Sequence, residues 1–405
     1  MICIGIDWAD DKHDICIRVA GDRRILAEFT ITNDEAGVRQ LDEKVATLGY
    51  EPADCPVAIE TPHGLLVGYL LQKGYPVYSI PPKAVTRYRD RHKMSGAKSD
   101  TSDARILADI LCVDREMHRP IPADSPLAQE IRELSRQRQA LVKEKTRLKN
   151  QLTACLKAYY PVALELFSDL DCAIARAFLR AYPNLEEARK VSLEELRAFF
   201  SQQGYTCMRK IPEIYQRLQA PAIPVADWQA RVQQRHMLVL VDLLETLVPQ
   251  IQTYERELSH LLDKHQDAFI FRSLPGAGDV TAAGLLGEIG DCRAKFESAR
   301  AMQALAGTCP VTIRSNKRVL IKFRVACCKS FRHVIQQFAR QSSLPGRSAW
   351  ARGYLHDQLG RNHSVSRATR ALGNRWLSII FRIWQDRVQY DEAVHLCNRA
   401  RHGRK

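Results

Sequence analysis

Ile2-Cys-Ile-Gly-Ile-Asp7 is an apolar stretch that ends in an acid, and it decides how the first 80 residues fold. Its apolar run predicts a buried β-strand over residues 2–6. Further runs, separated by turn signals at Asp10-Asp11 and Gly21-Asp22 and by helical patterns, predict strands over 14–19, 25–31, 56–60 and 76–80 and helices over 34–48 and 63–73. Three strands before the first helix, followed by strands that alternate with helices, indicate a mixed sheet with crossover helices, which is an α/β unit.

Two of these strands end in acids. Asp7 closes the first strand and Glu60 closes the strand over 56–60, and a charge at the end of a buried strand needs a partner. Both lie at the carboxyl ends of strands that we expect to be neighbours, where open α/β sheets bind their ligands. Asp100 and Asp103 lie three positions apart in a predicted helix, so they share one face. We expect the four carboxylates to converge on one cleft.

A cleft with four carboxylates predicts a divalent cation. The carboxylates would repel one another and raise each other's pKa values, and a hard cation relieves that repulsion. Mg²⁺ binds a few carboxylates together with water and phosphate oxygens, and two such ions about 3.5–4 Å apart would stabilise the attacking and leaving oxygens of phosphoryl transfer. Taken singly, the acids also have structural interpretations: helix capping for Asp100 and Asp103, and pairing with Lys12 for Asp7.

The overall charge is strongly positive. The chain has 405 residues, with 60 lysines and arginines against 46 acids, and a formal charge of +14. This is typical of proteins that act on a polyanion, although a basic enzyme with another substrate remains an alternative.

Several locations and cofactors are excluded by simple counts. No stretch approaches the roughly 20 apolar residues of a membrane span, and the N-terminus has no basic region of a signal peptide. The 12 cysteines form no C-x-x-C pair, which argues against zinc and against disulfides. We therefore expect no membrane partner and a cytoplasmic protein with reduced thiols.

Apolar residues recur every three to four positions over residues 127–152 and again over 244–261. This spacing predicts two long coiled-coil helices, paired either with each other or across a dimer, with packing onto their own domain as the alternative. Arg138 and Lys145 fall on the first seam, which weakens that helix as a tight homodimer zipper. Residues 160–225 are predicted to form a small helical insert.

A third unit begins near Phe271. Its glycine-rich turn, Pro275-Gly-Ala-Gly278, opens an amphipathic helix. This pattern is typical of a helix-hairpin-helix element, whose turn amides can approach a phosphate. A helix is predicted from about residue 322 to 340.

The last predicted helix, from about residue 365 to 386, is rich in arginine. Arginines interleaved with aromatic side chains are common in nucleic-acid grooves. Trp376, Ile380 and Trp384 recur at helical spacing, however, so we predict that these three lie in a core.

Two sets of motifs resemble one known family. GIDWADDKHDICI (5–17), AIETPHG (58–64) and the stretch from IPPKAV to ARILADIL (80–111) resemble the RuvC-like domain of the insertion-sequence 110 family of DEDD transposases, relatives of the pilin-gene invertases. LPGAGDVTAAGLLGEIGD (274–291), FESARAMQALAGTCPVTIRSNKR (296–318) and SRATRALGNRWLSIIFRIW (366–384) resemble that family's second domain, in the same order. The resemblance covers nearly the whole chain.

This resemblance implies a domain organisation. The expected parts are a RuvC/RNase H-like DEDD catalytic domain (1–122), coiled-coil arms (123–265) with a helical insert (about 160–225), a mostly helical transposase domain with the helix-hairpin-helix-like element (266–388) and a basic tail (389–405). The family's metal ligands correspond to Asp7, Glu60, Asp100 and Asp103, with Lys98 two residues before the third.

The family's second domain carries a nucleophilic serine after a G-x-x-P turn, and the matching residue here is Ser315. Asn316 stands where the family commonly has glycine, and asparagine tolerates the left-handed backbone that glycine would supply. Arg314, Lys317 and Arg318 are expected to surround the serine with positive charge and to contact nucleic acid.

The resemblance also implies an activity and partners. It implies a bacterial transposase, working at the nucleoid, that excises and inserts its own element through Mg²⁺-dependent cleavage of double-stranded DNA and a covalent phosphoserine link. It further implies a structured noncoding guide RNA and a homo-oligomer, dimer or tetramer, in which the arms bring one chain's serine to the other's carboxylates. The alternatives are a RuvC-like junction nuclease without a covalent intermediate and a non-catalytic nucleic-acid-binding protein.

Overall fold

The computed structural model describes residues 1–21, 24–62, 64–92, 100–121, 124–315, 318–394 and 396–397, with the backbone alone for 91, 92 and 100–102. The predicted positions Lys98, Asn316 and Lys317 lie outside these ranges. The chain forms two compact units, Met1–Ala123 and Asp124–Lys405, called unit 1 and unit 2 below. Within the described ranges, the helices are all too short or too polar to cross a bilayer.

Unit 1 is an α/β unit, as predicted. Its strands are β1 (Ile2–Asp7), β2 (Lys12–Val19), β3 (Ile25–Thr32), β4 (Val57–Ile59) and β5 (Val77–Ser79), and its helices are α1 (Glu35–Thr47), α2 (Leu65–Gln72), α3 (Pro82–His92) and α4 (Asp100–Asp114). The sheet order is β3-β2-β1-β4-β5. The first three strands are antiparallel neighbours, and β4 and β5 continue the sheet in parallel from β1.

Both faces of this sheet are covered, because side chains alternate along each strand. Ile4 and its neighbours on one face pack with Leu41 of α1 and Leu70 of α2. Cys3 and its neighbours on the other face pack with Leu107 of α4. The central strands are therefore buried on both sides and fixed in position.

Unit 2 is helical apart from one pair of strands. Its helices are α5 (Pro126–Tyr159), α6 (Ala163–Leu166), α7 (Ala173–Ala181), α8 (Leu185–Lys190), α9 (Leu193–Gln202), α10 (Ile211–Gln219), α11 (Asp227–Lys264), α12 (Ala268–Arg272), α13 (Asp279–Ile289), α14 (Ala299–Leu305), α15 (Lys329–Ser342), α16 (Ala349–Gly360) and α17 (Val365–Asp386), and its strands are β6 (Val311–Ser315) and β7 (Arg318–Lys322). The predicted α/β and α fold class is thus confirmed.

The two long helices α5 and α11 pack against each other in an antiparallel pair. Arg138 donates to Glu255 with 3.0 Å between Nε and Oε1, and further along Cys155 lies 3.3 Å from the side-chain oxygen of Gln233. Lys145, the second cation on the predicted seam, forms an ion pair with Asp171 of the insert at 2.8 Å. The seam cations are therefore neutralised within the chain.

Two hydrophobic cores lie at opposite ends of this helix pair. One surrounds the small helices of the insert, and the other contains α13, α15 and α17. Trp376, Ile380 and Trp384 are fully buried in the second core, which confirms their prediction as core residues.

The C-terminal part of unit 2 contains one confirmed and one wrong expectation. Helices α12 and α13 are joined by the predicted glycine-rich turn, in which Gly276 has a φ of +81°. The helix predicted from about residue 322 is wrong at its start, because Lys322 is the last residue of strand β7, residues 323–328 are not helical and the helix begins at Lys329.

Candidate active site

Two acids leave the sheet side by side in unit 1. β1 and β4 are parallel, and Ile6 pairs with Ile59. Asp7 and Glu60 are the next residues on each strand, so they emerge at the same edge. Both isoleucines are fully buried whereas both acids are partly exposed, which places the carboxylates at the border between the core and solvent.

A third acid reaches this edge because α4 packs closely on β1. A Cβ atom at Gly5 would lie 2.0 Å from the backbone oxygen of Ala104, so only glycine permits this approach. Asp103, the residue before Ala104, is consequently held beside the end of β1. Its carboxylate is buried and forms an ion pair with Arg89 of α3.

These acids line one cleft. Its volume is about 380 Å³, and its walls are Asp7, Trp8, Ala9, Lys12, Asp14, Glu60, Pro82, Thr86, Arg89 and Asp103. The structure therefore brings together three of the four carboxylates singled out in the sequence. The backbone of Asp100 begins α4, and its side chain lies outside the described residues.

Asp14 is a cleft acid that the sequence analysis missed. It pairs directly opposite Asp7 in the antiparallel register of β1 and β2, and Thr30 Oγ1 donates to its Oδ1 at 2.6 Å. The signal was present in the sequence. The turn that Asp10-Asp11 predicts folds the chain so that residue 14 faces residue 7.

The cleft concentrates negative charge. Asp7 and Asp14 face each other across neighbouring strands, and like charges in that position are destabilising. Carboxylate oxygens are also the ligands that Mg²⁺ prefers, so the donor chemistry fits a divalent ion. Within the described residues, no three acidic, histidine or cysteine side chains converge closely enough to hold an ion as they stand. Asp103 is instead engaged by Arg89.

A histidine supports one wall of the cleft. His13 is buried, and its Nδ1 accepts a hydrogen bond from the backbone nitrogen of Ala9 at 3.4 Å. Its ring stacks with that of Trp8 at 6.5 Å between centroids. Burial lowers the pKa of His13 below its usual value, outweighing a hydrogen bond with Asn33 that raises it. The neutral ring therefore supports the cleft wall.

Ser315 lies in unit 2, at the end of an exposed β-ribbon formed by β6 and β7. It is the last residue of β6 and pairs opposite Arg318. Ile313 and Leu320 form the next pair on the same face, and both are about half exposed (44% and 50%). The hydroxyl is therefore presented on a surface ribbon beside one cation.

The other predicted cations of this region divide between the two faces of the ribbon. Arg314 pairs opposite Val319, and successive residues of a strand point to opposite faces. Arg314 therefore lies on the face away from Ser315, whereas Arg318 shares the serine's face. Of the cations expected around the serine, Arg318 is the one that shares its face of the ribbon among the described residues.

Two family models match the chain. A DEDD transposase model of the IS110 type matches residues 4–161. A model described as "Transposase IS116/IS110/IS902 family" matches residues 268–356. The first match contains the four predicted acids, and the second contains Ser315.

Individual proteins resemble the chain over most of its length. It is 35% identical over 402 residues to the "Mini-circle putative transposase for IS117" of Streptomyces coelicolor, covering 96% of this chain and 95% of that protein. It is 25% identical to the "Insertion element IS110 uncharacterized 43.6 kDa protein" of the same organism, covering 97% and 96%. Among solved structures, Thermus thermophilus RuvC with a Holliday junction substrate matches 30% of this chain and 99% of that chain, at 16% identity and a TM-score of 0.22.

Proposed function

Because this chain belongs to the IS110 family of DEDD transposases, we propose that it excises and inserts its own insertion sequence by metal-dependent cleavage and transfer of DNA strands. Membership of the family makes it an enzyme that cleaves and recombines DNA. The observation that carries the mechanism is the convergence of Asp7, Glu60 and Asp103 on one cleft.

The proposed cofactor is Mg²⁺, held by Asp7, Glu60 and Asp103 with Asp100. When bound, the ion would polarise a phosphodiester and stabilise the charge on the leaving oxygen. Asp103 must exchange Arg89 for the ion, and the released guanidinium would then be available to a phosphate. Asp14 would keep its hydrogen bond from Thr30 and would add negative charge near the ion without binding it.

Ser315 is the proposed nucleophile. Its Oγ would form a bond to phosphorus as the bond from phosphorus to the deoxyribose oxygen breaks, and the serine proton would end on the departing deoxyribose hydroxyl. This leaves a phosphoserine link between protein and DNA. Arg318, directly opposite on the same face, would stabilise the negative charge that develops on the phosphate. The exposure of the ribbon supports this role, because DNA can reach the hydroxyl without any rearrangement of the core of unit 2.

The proposed assembly is a homo-oligomer in which the carboxylates of one chain act with the serine of another. α5 and α11 already pair within the chain, so a second copy needs a further surface. Such a surface is present on α11, where four large apolar residues are exposed on one face. They are Trp228, Val232, Val239 and Leu243. Spacings of four and seven residues are those of a helix–helix seam.

Site selection is proposed to depend on a structured noncoding RNA. The net charge of +14 suits a protein that binds DNA and RNA together. The sequence contains no zinc finger or RNA-recognition signature and no convincing helix-turn-helix motif, which would otherwise read bases directly. Base pairing by an RNA would supply the specificity that the protein lacks.

The decisive experiment traps the covalent link. Wild-type chain, duplex DNA spanning the element junction, RNA transcribed from the element's end and Mg²⁺ are incubated and resolved under denaturing conditions. We expect a protein–DNA adduct that Ser315→Ala abolishes. Thr312→Ala is the matched control, because Thr312 carries a hydroxyl on the opposite face of the same ribbon. Cleavage without an adduct would instead identify a hydrolytic junction nuclease, and an adduct that survives Ser315→Ala would place the nucleophile elsewhere.

A further inference from the structure

Four arginines gather where the ribbon of β6 and β7 joins the helical core of unit 2. They come from three different segments, and we call Arg324, Arg332, Arg367 and Arg370 the arginine cluster. Arg332 donates to the backbone of Arg324, and Arg332 and Arg367 lie close enough to Arg370 to lower its pKa. Phe323, which directly follows β7, lies at its centre. The guanidinium carbons of Arg332 and Arg370 lie over its ring, 4.5 and 4.6 Å from the centroid. Both distances are within the range of a cation–π interaction.

The position of Arg332 is fixed by the backbone around it. Gly307, in the G-x-x-P turn, has a φ of +64°, and a Cβ atom there would lie 2.3 Å from Nη2 of Arg332. The same Nη2 donates to the backbone oxygen of Arg324. Glycine at this turn therefore makes room for the guanidinium, and Arg332 in turn holds the segment that leaves β7.

The positive charges of the cluster arginines repel one another. Burial, together with the charges of Arg332 and Arg367, lowers the pKa of Arg370. Several other partly buried arginines of unit 2 have an acid: Arg136 has Glu288, Arg293 has Asp267 and Arg132 has Asp124. In the part of the chain that the structure describes, none of the four cluster arginines has such a partner. Arginines brought together in this way favour a bound polyanion.

We propose that the arginine cluster binds a backbone phosphate of the DNA strand that Ser315 attacks. The assignment of the strand rests on the proposed function, whereas the cluster's binding of DNA phosphate does not. DNA is favoured because the cluster and the serine are joined by one short ribbon, so a strand that lies along the ribbon meets both.

The length of the ribbon predicts how far along the DNA the contacted phosphate lies from the bond that Ser315 attacks. Ser315 and Val311 are four residues apart on β6, which is roughly 13 Å at the rise of a β-strand. Phe323 follows Lys322, which pairs opposite Val311. At 3.4 Å of helix axis per nucleotide, the contacted phosphate lies about four base steps from the scissile bond.

The test compares two arginines of the same helix. Arg370→Gln removes a cluster cation, and Arg382→Gln removes an exposed cation of α17 that pairs with Asp386 at 2.6 Å. Both substitutions are made in the full chain with Ser315→Ala, and binding is measured without divalent cations, so that no strand is cleaved by either mechanism. Binding to a short DNA duplex is measured by fluorescence anisotropy over a series of KCl concentrations, with circular dichroism as the check on folding.

We expect Arg370→Gln to lower the slope of log affinity against log salt by about one, whatever the duplex sequence, and Arg382→Gln to leave it unchanged. In duplexes with single uncharged methylphosphonates, one position should weaken binding only when Arg370 is present. In the wild-type chain, that position should lie about four steps from the serine-linked phosphate.

Equal slopes for the two variants on DNA would overturn the proposal. A slope that falls for a structured RNA hairpin and stays unchanged for DNA would also overturn it, since the cluster would then be an RNA site. These outcomes do not depend on which residue is the nucleophile. If Ser315 is not the nucleophile, the expected change in salt slope still holds, and if the slopes of the two variants are equal, the proposed covalent adduct still stands.

Discussion

The carboxylate cleft of unit 1 and the serine ribbon of unit 2 are built in opposite ways. In the cleft, Asp7 and Glu60 each follow a fully buried isoleucine, and α4, which carries Asp103, is locked to β1 through Gly5. In the ribbon, Ser315 ends strand β6, and the side chains on both faces of β6 and β7 are exposed or partly exposed. An isolated two-stranded ribbon is only marginally stable in water. We therefore expect the fold alone to position the acids, and we expect the position of the serine to depend on what the ribbon binds.

The largest expected effect is on DNA cleavage, and it should differ between Asp7 and Asp14, two acids of the cleft. Asp7→Asn should reduce strand cleavage by more than about a hundredfold, because even residues that only support a metal ligand cost about 10–100-fold when replaced. Asp14→Asn, which removes a charge directly opposite, should reduce it less than about tenfold, since Asp14 is held by Thr30. Cleavage of junction DNA is measured at saturating Mg²⁺.

Equal losses for the two variants would contradict the predicted set of ligands and would place Asp14 among them. Urea unfolding of both variants serves as the control, and it should give midpoints equal to or slightly above that of the wild type. Both side chains lie at the mouth of the cleft outside the hydrophobic core, and each substitution relieves the repulsion between Asp7 and Asp14.

A smaller effect is expected when isoleucine is replaced by alanine in the cleft and, separately, in the ribbon. Ile59→Ala, next to Glu60, should lower the free energy of unfolding of unit 1 by about 2–5 kcal/mol, since Ile59 is fully buried. Ile313→Ala, two residues before Ser315, should change the stability of unit 2 by less than about 0.5 kcal/mol, because its side chain is 44% exposed. Hydrogen exchange measured by mass spectrometry assigns each loss to its unit.

A large loss from Ile313→Ala would contradict the comparison, because it would mean that the ribbon is packed in the free protein. Adding duplex DNA sharpens the test. If bound DNA orders the ribbon, amides of β6 and β7 should gain protection from exchange in the complex, whereas those of β1 and β4 should be unchanged.

The cleft was largely predictable from sequence, and the reason is its burial. The strands of unit 1 are short apolar runs between turn signals, so their positions and the acids at their ends follow from the pattern. Asp14 was recoverable from the turn at Asp10-Asp11. Arg89 was missed because α3 was not predicted, although Pro82 at its start and the pair Val85 and Tyr88 are signals of a helix.

The ribbon was poorly predictable for the complementary physical reason. A strand exposed on both faces has no need to alternate polar and apolar residues, and β7 (Arg-Val-Leu-Ile-Lys) is a plain apolar run. Such runs do not distinguish a strand from a helix, so the ribbon has no clear signature in the sequence. The arginine cluster also joins residues that are distant in the sequence, so no local pattern could reveal it.

The smallest expected effect concerns the pH dependence of stability, and in unit 1 it is expected from His13 in the cleft wall. The pKa of His13 is lowered by burial, so the unfolded chain takes up a proton at a higher pH than the folded chain. The stability that His13 contributes is complete above about pH 6.5, the ordinary value, and is lost as the pH falls through the lower folded pKa. Protonation would disturb the stack with Trp8 and the bond from Ala9, both of which are in the cleft wall.

His13→Gln should therefore flatten the fall in stability of unit 1 between pH 7.5 and 5.5, measured by urea unfolding of the full chain with hydrogen exchange of peptides from β1 and β2. The matched control is His333→Gln, because burial and then Lys143 and Arg138 lower the pKa of His333 in unit 2. That substitution should alter the pH dependence of unit 2 and leave β1 and β2 unchanged. If His13→Gln leaves the acid-side slope of unit 1 intact, the cleft wall does not depend on a neutral histidine, and the acids are held by the sheet and α4 without it.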